Sequence, residues 1–198
     1  MAENTVMEWV RGWRAPGLAK FMSDVSAVTN TWPRLGLELG IVAVVALAGR
    51  RNRASALALT GMAAIGMGLA ADYTLGEIVA RGRPIAESTA PSFPSAHTFR
   101  TTALLGFIAF LSFRHGFRPS VRVPLLVAIG AVIALVGPSR IYVGAHWPAD
   151  VIAGYIVGAL ILLVVIKVYD RCDRILCQRM PLAGQPLSRP PPTTDHDS

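Results

Sequence analysis

The chain has 198 residues, enough for one domain, and 53% of them are hydrophobic while only 16% are charged. Its mean hydropathy of +0.47 exceeds what soluble globular domains usually carry, so a membrane protein is the first expectation. The formal net charge of +7 fits anionic lipid headgroups or phosphates as partners. The basic residues form no continuous stripe and are not interleaved with aromatic residues, which argues against a nucleic-acid-binding protein.

Residues 1–34 are predicted to form interfacial helices. This segment mixes apolar and charged residues and is too polar to span a bilayer. Trp9 and Trp13 lie four residues apart on one helical face, and Pro16-Gly17 is predicted to break the helix. We therefore expect short amphipathic helices at the level of the lipid headgroups, with a mobile leader as the alternative.

Five apolar runs follow and predict five transmembrane helices in one domain over residues 35–170. Charged residues lie between the runs, where they avoid the cost of several kcal/mol for a charge at the centre of a bilayer. The predicted fold class is therefore all-α, an integral membrane helical bundle of about five transmembrane helices plus the N-terminal interfacial helices. The runs cover residues 35–49, 54–75, 98–113, 121–138 and 150–168.

Lysine and arginine residues in the loops predict the orientation of the bundle. They cluster in the first and third loops and after the last run, and the positive-inside rule places these segments in the cytoplasm. The connections 76–97 and 139–149 then face the extracytoplasmic side of a bacterial inner or plasma membrane. Residues 171–198 are expected to form a cytoplasmic, Pro-rich, disordered tail. The loop cations are Arg50, Arg51, Arg53, Arg114, Arg118, Arg122, Lys167, Arg171, Arg174 and Arg179.

The two extracytoplasmic connections carry polar residues suited to phosphoryl transfer. Arginine side chains bind phosphate oxygens bidentately, and helix N-termini supply unpaired N–H groups. One histidine serves as a nucleophile and another as a proton donor, while the arginines supply positive charge that a metal ion supplies elsewhere. No metal or other cofactor is therefore expected. The candidate residues are Arg81, Arg83, Ser95, Ala96, His97, Ser139, Arg140, His146 and Asp150.

The spacing of His146 and Asp150 predicts a contact between them. If Pro148 occupies the first turn of the last helix, the two side chains share one face and the carboxylate fixes the imidazole tautomer. Asp150 has an alternative role as a cap of the helix N-terminus. Ser95 likewise has an alternative role as an ordinary helix cap, with His97 as a surface residue.

These residues resemble the three motifs of the type 2 phosphatidic acid phosphatase family, K-x6-R-P, P-S-G-H and S-R-x5-H-x3-D. Pro94-Ser95-Ala96-His97 matches the second motif with alanine in place of glycine, and the segment from Ser139 to Asp150 matches the third completely. Only Arg83-Pro84 of the first motif is present, and Gly76 occupies the position of the family lysine.

The resemblance implies a metal-independent phosphatase acting on lipid phosphates or diphosphates. It implies that His146 attacks phosphorus and becomes phosphorylated, that Asp150 orients His146, and that His97 protonates the leaving oxygen. Ser139 belongs to the third motif without an assigned role. The implied phosphate ligands are Arg83, Ser95, the Ala96 N–H and Arg140, with Arg81 as the candidate replacement for the missing lysine.

The candidate substrates are polyprenyl phosphates and diphosphates, phosphatidylglycerophosphate and phosphatidic acid. The alternative is a catalytically weak family member that binds phospholipid or a protein partner without turnover, because loss of the lysine weakens transition-state stabilisation. A transporter is disfavoured, since its arginines would lie within the spans and these lie at helix ends. Neither the lipid nor the oligomeric state follows from the sequence.

Overall fold

The computed structural model describes residues 2–13, 15–28, 61, 68, 70, 73–84 and 91–179, and the regular structure among them is helical, as predicted. The labelled helices are α1 (Ala2–Gly12), α2 (Pro16–Val28), α3 (Ala96–Arg114), α4 (Pro119–Tyr142) and α5 (Pro148–Arg179). Residues 73–79 are also helical. Helix α3 packs mainly against α5 and also against α4, while α2 lies on α4.

Two of the described helices are long and apolar enough to cross a membrane. They are Pro119–Tyr142, with a mean hydropathy of 2.2, and Pro148–Ile175, with a mean hydropathy of 2.7. Large apolar side chains on both remain exposed, including Val127 at 67% and Leu160 at 58%. Because water-soluble proteins rarely expose such continuous apolar surface, these helices favour contact with lipid.

The predicted number of five spanning helices is therefore not reached among the described residues. The run 35–49 lies outside them, as does most of the run 54–75. The run 98–113 lies within α3, which is helical but is not one of the two helices identified as long and apolar enough.

Helix α5 extends beyond the predicted end of the last span. It continues to Arg179, so residues 171–179, which were expected in the disordered tail, are helical. Arg114 at the end of α3 forms ion pairs with Asp173 at 3.1 Å and Asp170 at 3.9 Å, which tie this part of α5 to α3. The rest of the predicted tail, residues 180–198, lies outside the described residues.

A buried aromatic cluster joins α3 and α5 near these ion pairs. Tyr169 has no exposed surface and makes edge-to-face contacts with Phe107 and Phe110, with ring centroids 5.7 and 5.9 Å away. Its hydroxyl lies 3.2 Å from Nε2 of His115. Buried aromatic pairs of this geometry stabilise a helix contact beyond the area they bury. The C-terminal half of α5 is thereby fixed to the C-terminal end of α3.

At the other end of the bundle, glycines allow α3 and α5 to approach closely. A Cβ atom at Gly158 would lie 2.7 Å from the Phe99 carbonyl oxygen and 2.8 Å from Cβ of Thr102. A Cβ atom at Gly154 would lie 3.0 Å from the Ser95 carbonyl oxygen. Small residues permit such close packing between membrane helices. The packing brings the start of α3 against the first turns of α5.

Tyr155 of α5 is inserted into the hydrogen bonding of α4. Its hydroxyl donates to the Ile133 carbonyl at 2.7 Å and accepts from the Gly137 N–H at 3.2 Å, two groups that pair with each other in a regular α-helix. Pro138 follows and has no N–H to donate. Because a side chain within the hydrogen-bond ladder redirects a helix, α5 influences the course of the last turn of α4, which carries Arg140.

We expect Gly158→Ala to destabilise the protein by about 1–3 kcal/mol, because the added methyl group would overlap the α3 backbone at Phe99. Thermal unfolding of the detergent-purified protein should show this as a lower Tm. Gly130→Ala on α4 is the matched control, since a Cβ atom there has no neighbouring atom within 4 Å. Equal melting temperatures for the two variants would contradict the close packing of α3 and α5.

Candidate active site

Asp150 is fully buried and connects three segments of the chain. Its Oδ1 accepts a hydrogen bond from Nη1 of Arg81 at 3.0 Å, and its Oδ2 accepts one from the Trp147 N–H at 2.9 Å. Its main-chain carbonyl accepts a hydrogen bond from the Ser95 N–H at 3.0 Å. The buried charge is thus paired with a cation and an N–H group, which offsets the cost of removing a carboxylate from water. The segments that contain residues 81, 95 and 147 meet here.

The hydrogen bond to Trp147 makes Asp150 a cap of α5. Pro148 is the first residue of the helix, and Trp147 precedes it. In a capping box, a carboxylate in the first turn accepts a hydrogen bond from the N–H of the residue that precedes the helix, as Asp150 does here. The hydrogen bond from the Trp147 N–H therefore gives Asp150 its alternative predicted role, that of a cap of the helix N-terminus. The predicted bond between Asp150 and the His146 ring is not among the hydrogen bonds of these described residues.

A main-chain acceptor holds His146 instead. The residue is only 2% exposed, and its Nδ1 lies 2.7 Å from the carbonyl oxygen of Ser92. Because a carbonyl oxygen can only accept, Nδ1 carries the proton and Nε2 carries the lone pair of the neutral ring. Sequence reasoning missed Ser92 because a main-chain acceptor has no signature in residue type.

Burial lowers the pKa of the His146 imidazole to about 4. The positive charge of Arg140 acts in the same direction, and that of Arg83 does so more weakly, whereas the hydrogen bond to the Ser92 carbonyl raises the pKa. His146 is therefore neutral at physiological pH. An anion near the ring would raise this pKa again, because negative charge stabilises the imidazolium.

Arg140 supplies a buried cation at the end of α4. It is 8% exposed, and its Nη1 donates to the hydroxyl of Ser26 on α2. Among the described residues, its Nε and the buried hydroxyl of Ser92 have no hydrogen-bond partner. Because buried polar atoms in proteins are nearly always paired, these two atoms are available to an oxyanion close to His146.

Ser95 and His97 begin α3. Ser95 is buried and occupies the N-cap position of α3, as its alternative role predicted. Its side chain makes no capping bond, however, and its hydroxyl oxygen accepts from Thr98 at 3.0 Å. The first N–H groups of any helix, here including that of Ala96, have no acceptor within the helix and attract anions. His97 is half-buried in this first turn.

Arg81 is engaged by two carboxylates. Besides Asp150 it contacts Glu3 of α1 through Nη2, and the other Glu3 oxygen accepts from the Ala149 N–H at 3.2 Å. The guanidinium also lies 5.3 Å from the centre of the Trp147 ring. The hydrogen bond from Arg81 lowers the pKa of Glu3, so Glu3 is ionised at neutral pH. Arg81 thus joins α1 to the start of α5, a role that was not predicted from the sequence.

Gly76 lies on the helical stretch 73–79 and faces the loop that precedes α3. A Cβ atom there would be 3.5 Å from Cβ of Pro91 and 3.7 Å from the Phe93 carbonyl oxygen, which are ordinary van der Waals distances. A side chain at this position would therefore begin beside the loop that carries Ser92, without a backbone clash.

The remaining predicted residues differ in their surroundings. Arg83 is half-buried, and its charge acts on His146. Ser139 is fully buried and donates to the Val136 carbonyl at 2.7 Å, a bond within its own helix. Among the described residues, no group of three His, Cys, Asp or Glu side chains is arranged to hold a metal ion. The positive charge on this part of the structure is that of the arginines.

The N-terminal helices contribute Glu3 and Ser26, which sequence reasoning missed. Both contacts depend on how α1 and α2 fold onto α4 and α5, and no motif marks either residue. The break between the helices also differs slightly from the prediction. It precedes Pro16, which begins α2, because proline is tolerated in the first turn of a helix.

Comparison with known proteins identifies relatives of this chain. Residues 54–174 match the PAP2 superfamily. Phosphatidylglycerophosphatase B of Bacillus subtilis is 31% identical over 88 residues, which are 44% of this chain and 43% of that protein. The putative undecaprenyl-diphosphatase YbjG of Escherichia coli is 29% identical over 127 residues, 59% of each protein. The chain thus spans about half the length of the curated relatives it matches.

The fold has a counterpart among solved structures. A transmembrane PAP2-type phosphatidylglycerolphosphate phosphatase from Bacillus subtilis superimposes with a TM-score of 0.75 at 24% identity, covering 86% of this chain and 85% of that one. At this level of identity the likeness concerns the fold. The family match covers more than half of the chain and includes the second and third motifs, which confirms the resemblance drawn from them. The chain therefore belongs to the PAP2 superfamily.

Proposed function

We propose that this protein is a membrane lipid phosphatase that hydrolyses a phosphomonoester or diphosphate of a lipid without a metal ion. The observation that carries the proposal is the neutral, buried His146 with its Nδ1 held by Ser92. Beside it lies the buried Arg140, whose Nε has no partner among the described residues. A neutral imidazole nucleophile next to a desolvated cation is what attack on a phosphate anion requires.

In the proposed reaction, the Nε2 lone pair of His146 attacks phosphorus. The bond between phosphorus and the leaving oxygen breaks, its electron pair stays on that oxygen, and His97 supplies the proton. Water then attacks the phosphohistidine and releases inorganic phosphate and neutral His146, with the proton from water returning to His97. The Arg83 and Arg140 side chains, the Ser95 hydroxyl and the Ala96 N–H stabilise the phosphoryl oxygens.

Asp150 and Arg81 act as positioning residues in this proposal. Asp150 holds the first turn of α5 through Trp147 and the start of α3 through Ser95, and Arg81 neutralises it. Two carboxylates share the charge of Arg81, so its attraction for phosphate is weaker than that of an unpaired lysine. Arg81 therefore replaces the family lysine only in part.

The names of the two relatives support a lipid phosphate as the substrate. One is named for phosphatidylglycerophosphate and the other for undecaprenyl diphosphate, which share a phosphate on an apolar chain. We extend this class to polyprenyl phosphates and phosphatidic acid. The loop cations favour a bacterial inner or plasma membrane location with the site on the extracytoplasmic side and the C-terminus in the cytoplasm.

The second candidate is a catalytically weak family member that binds phospholipid or a partner without turnover. Gly76 in place of the lysine favours it, as does the engagement of Arg81 by Glu3 and Asp150. Loss of one cation weakens stabilisation of the transition state more than it weakens binding of the ground state when charge develops during the reaction.

We expect detergent-purified protein to release inorganic phosphate from at least one of these lipids in the presence of EDTA. His146→Ala should lower release by about a thousandfold or more, because it removes the nucleophile. His115→Ala, at the opposite end of α3, is the matched control and should retain activity. Release that depends on a metal, or that survives in His146→Ala, would refute the mechanism. Folded wild-type protein that releases no phosphate from any lipid would favour the binding alternative.

The pH dependence of kcat/KM should reflect the low pKa of His146. Because the neutral ring is the nucleophile, activity is retained as pH falls through the ordinary histidine value of 6.5 and is lost near pH 4, where the ring becomes protonated. Arg83→Gln removes one charge that lowers this pKa, so its acid limb should move to higher pH. An acid limb near 6.5 that does not move in Arg83→Gln would contradict this interpretation.

Gly76→Lys tests whether the missing lysine limits activity. An added cation beside the 91–95 loop should raise kcat/KM about tenfold or more, since a hydrogen bond from a charged donor contributes about 1.5–3 kcal/mol. Gly76→Leu adds similar bulk without charge and should not exceed the wild type. Equal activity of the two variants would show that the lysine position does not limit this protein.

A further inference from the structure

An apolar cavity lies between the two N-terminal helices and the end of α4. Its volume is about 320 Å³, and no charged side chain is found among the described residues that line it. Burying a sugar or a phosphate against such walls would cost free energy, because buried polar groups need hydrogen-bond partners. The walls suit a hydrocarbon chain. The main lining residues are Val6 and Val10 of α1, Leu18 and Met22 of α2, and Ile141 and Tyr142 of α4.

This cavity lies near the candidate phosphate site in the fold. Ile141 and Tyr142 directly follow Arg140 on α4, and successive helical residues rise only about 1.5 Å along the axis. Ser26 of α2, the helix that forms another wall, accepts a hydrogen bond from Arg140. A chain attached to a phosphate on Arg140 therefore has this apolar space beside it.

Polar contacts at both ends fix the wall formed by α1 and α2. Glu3 binds Arg81 and the Ala149 N–H, while Ser26 binds Arg140. Trp9 and Trp13 also line the cavity yet remain 61% and 60% exposed, with ring centroids 5.0 Å apart. Tryptophan is enriched at the level of lipid headgroups, where the chain of a lipid leaves its phosphate.

We propose that this cavity binds the part of the substrate's hydrocarbon chain nearest the phosphate and sets selectivity for chain length. The proposal rests on the proposed function for the phosphate site and adds the N-terminal helices to the substrate-binding surface. The volume lies at the lower end of the roughly 300–1,000 Å³ of small-molecule sites. It therefore holds only a segment of a long chain, and the remainder extends into the bilayer.

The test compares kcat/KM for hexadecyl phosphate and butyl phosphate, which differ only in chain length. Leu18→Trp fills the cavity and should lower the kcat/KM for hexadecyl phosphate relative to that for butyl phosphate about tenfold. Losing the burial of two methylene groups already corresponds to that factor. Ser23→Trp introduces the same ring at an exposed position of α2 outside the cavity and should leave the ratio unchanged. An unchanged ratio in Leu18→Trp, or an equal fall in Ser23→Trp, would overturn the proposal.

Photolabelling separates this proposal from the phosphatase activity and needs no variant. The full chain in detergent is irradiated with a hexadecyl phosphate that carries a diazirine on the carbons next to the phosphate, and labelled residues are mapped by mass spectrometry. Labelling of Val6, Val10, Leu18 or Met22 that excess hexadecyl phosphate suppresses supports the cavity, even if no lipid phosphate is hydrolysed and the proposed function fails. Labelling confined to other residues overturns the cavity proposal, even in an active phosphatase.

Discussion

The ion pair between the buried Asp150 and the half-buried Arg81 is the contact on which the geometry of the site depends. Asp150 has no exposed surface, so its charge is tolerated only because Arg81 and the Trp147 N–H pair with it. Its main-chain carbonyl also accepts a hydrogen bond from the Ser95 N–H, and this bond joins the start of α3 to the start of α5. Loss of Arg81 would leave an uncompensated charge in the interior and loosen both helix starts at once.

The site holds two of its functional groups with neutral acceptors and a third with carboxylates. His146 is bound through a main-chain carbonyl, which sets its tautomer without adding a negative charge, so the pKa of the ring stays low. Arg140 is bound through the neutral hydroxyl of Ser26, and no carboxylate of the described residues pairs with it. Arg81, by contrast, is neutralised by the carboxylates of Glu3 and Asp150. This arrangement keeps positive charge on Arg140, near the proposed nucleophile His146, while Arg81 takes part in structural pairing.

The comparison of sequence and structure is clearest at α5. The motif located His146 and Asp150, and the condition that Pro148 occupies the first turn of the last helix is met. It predicted a bond between the two side chains on the assumption that residues four apart share a helical face. That rule applies only when both residues are helical, and His146 precedes the first helical residue by two positions. The carboxylate is instead directed to Trp147 and Arg81, and the imidazole to Ser92.

By itself, the sequence determined the helical class, the family and the positions of the candidate site residues, because apolar runs and motif spacing are local properties that one chain displays directly. Only the tertiary structure decided that Ser92 holds His146, that Glu3 and Asp150 share Arg81, and that α1, α2 and the end of α4 line an apolar cavity near Arg140. These contacts join residues far apart in the chain. They depend on the close packing at Gly154 and Gly158 and on the folding of the N-terminal helices onto α4, which residue type does not encode locally.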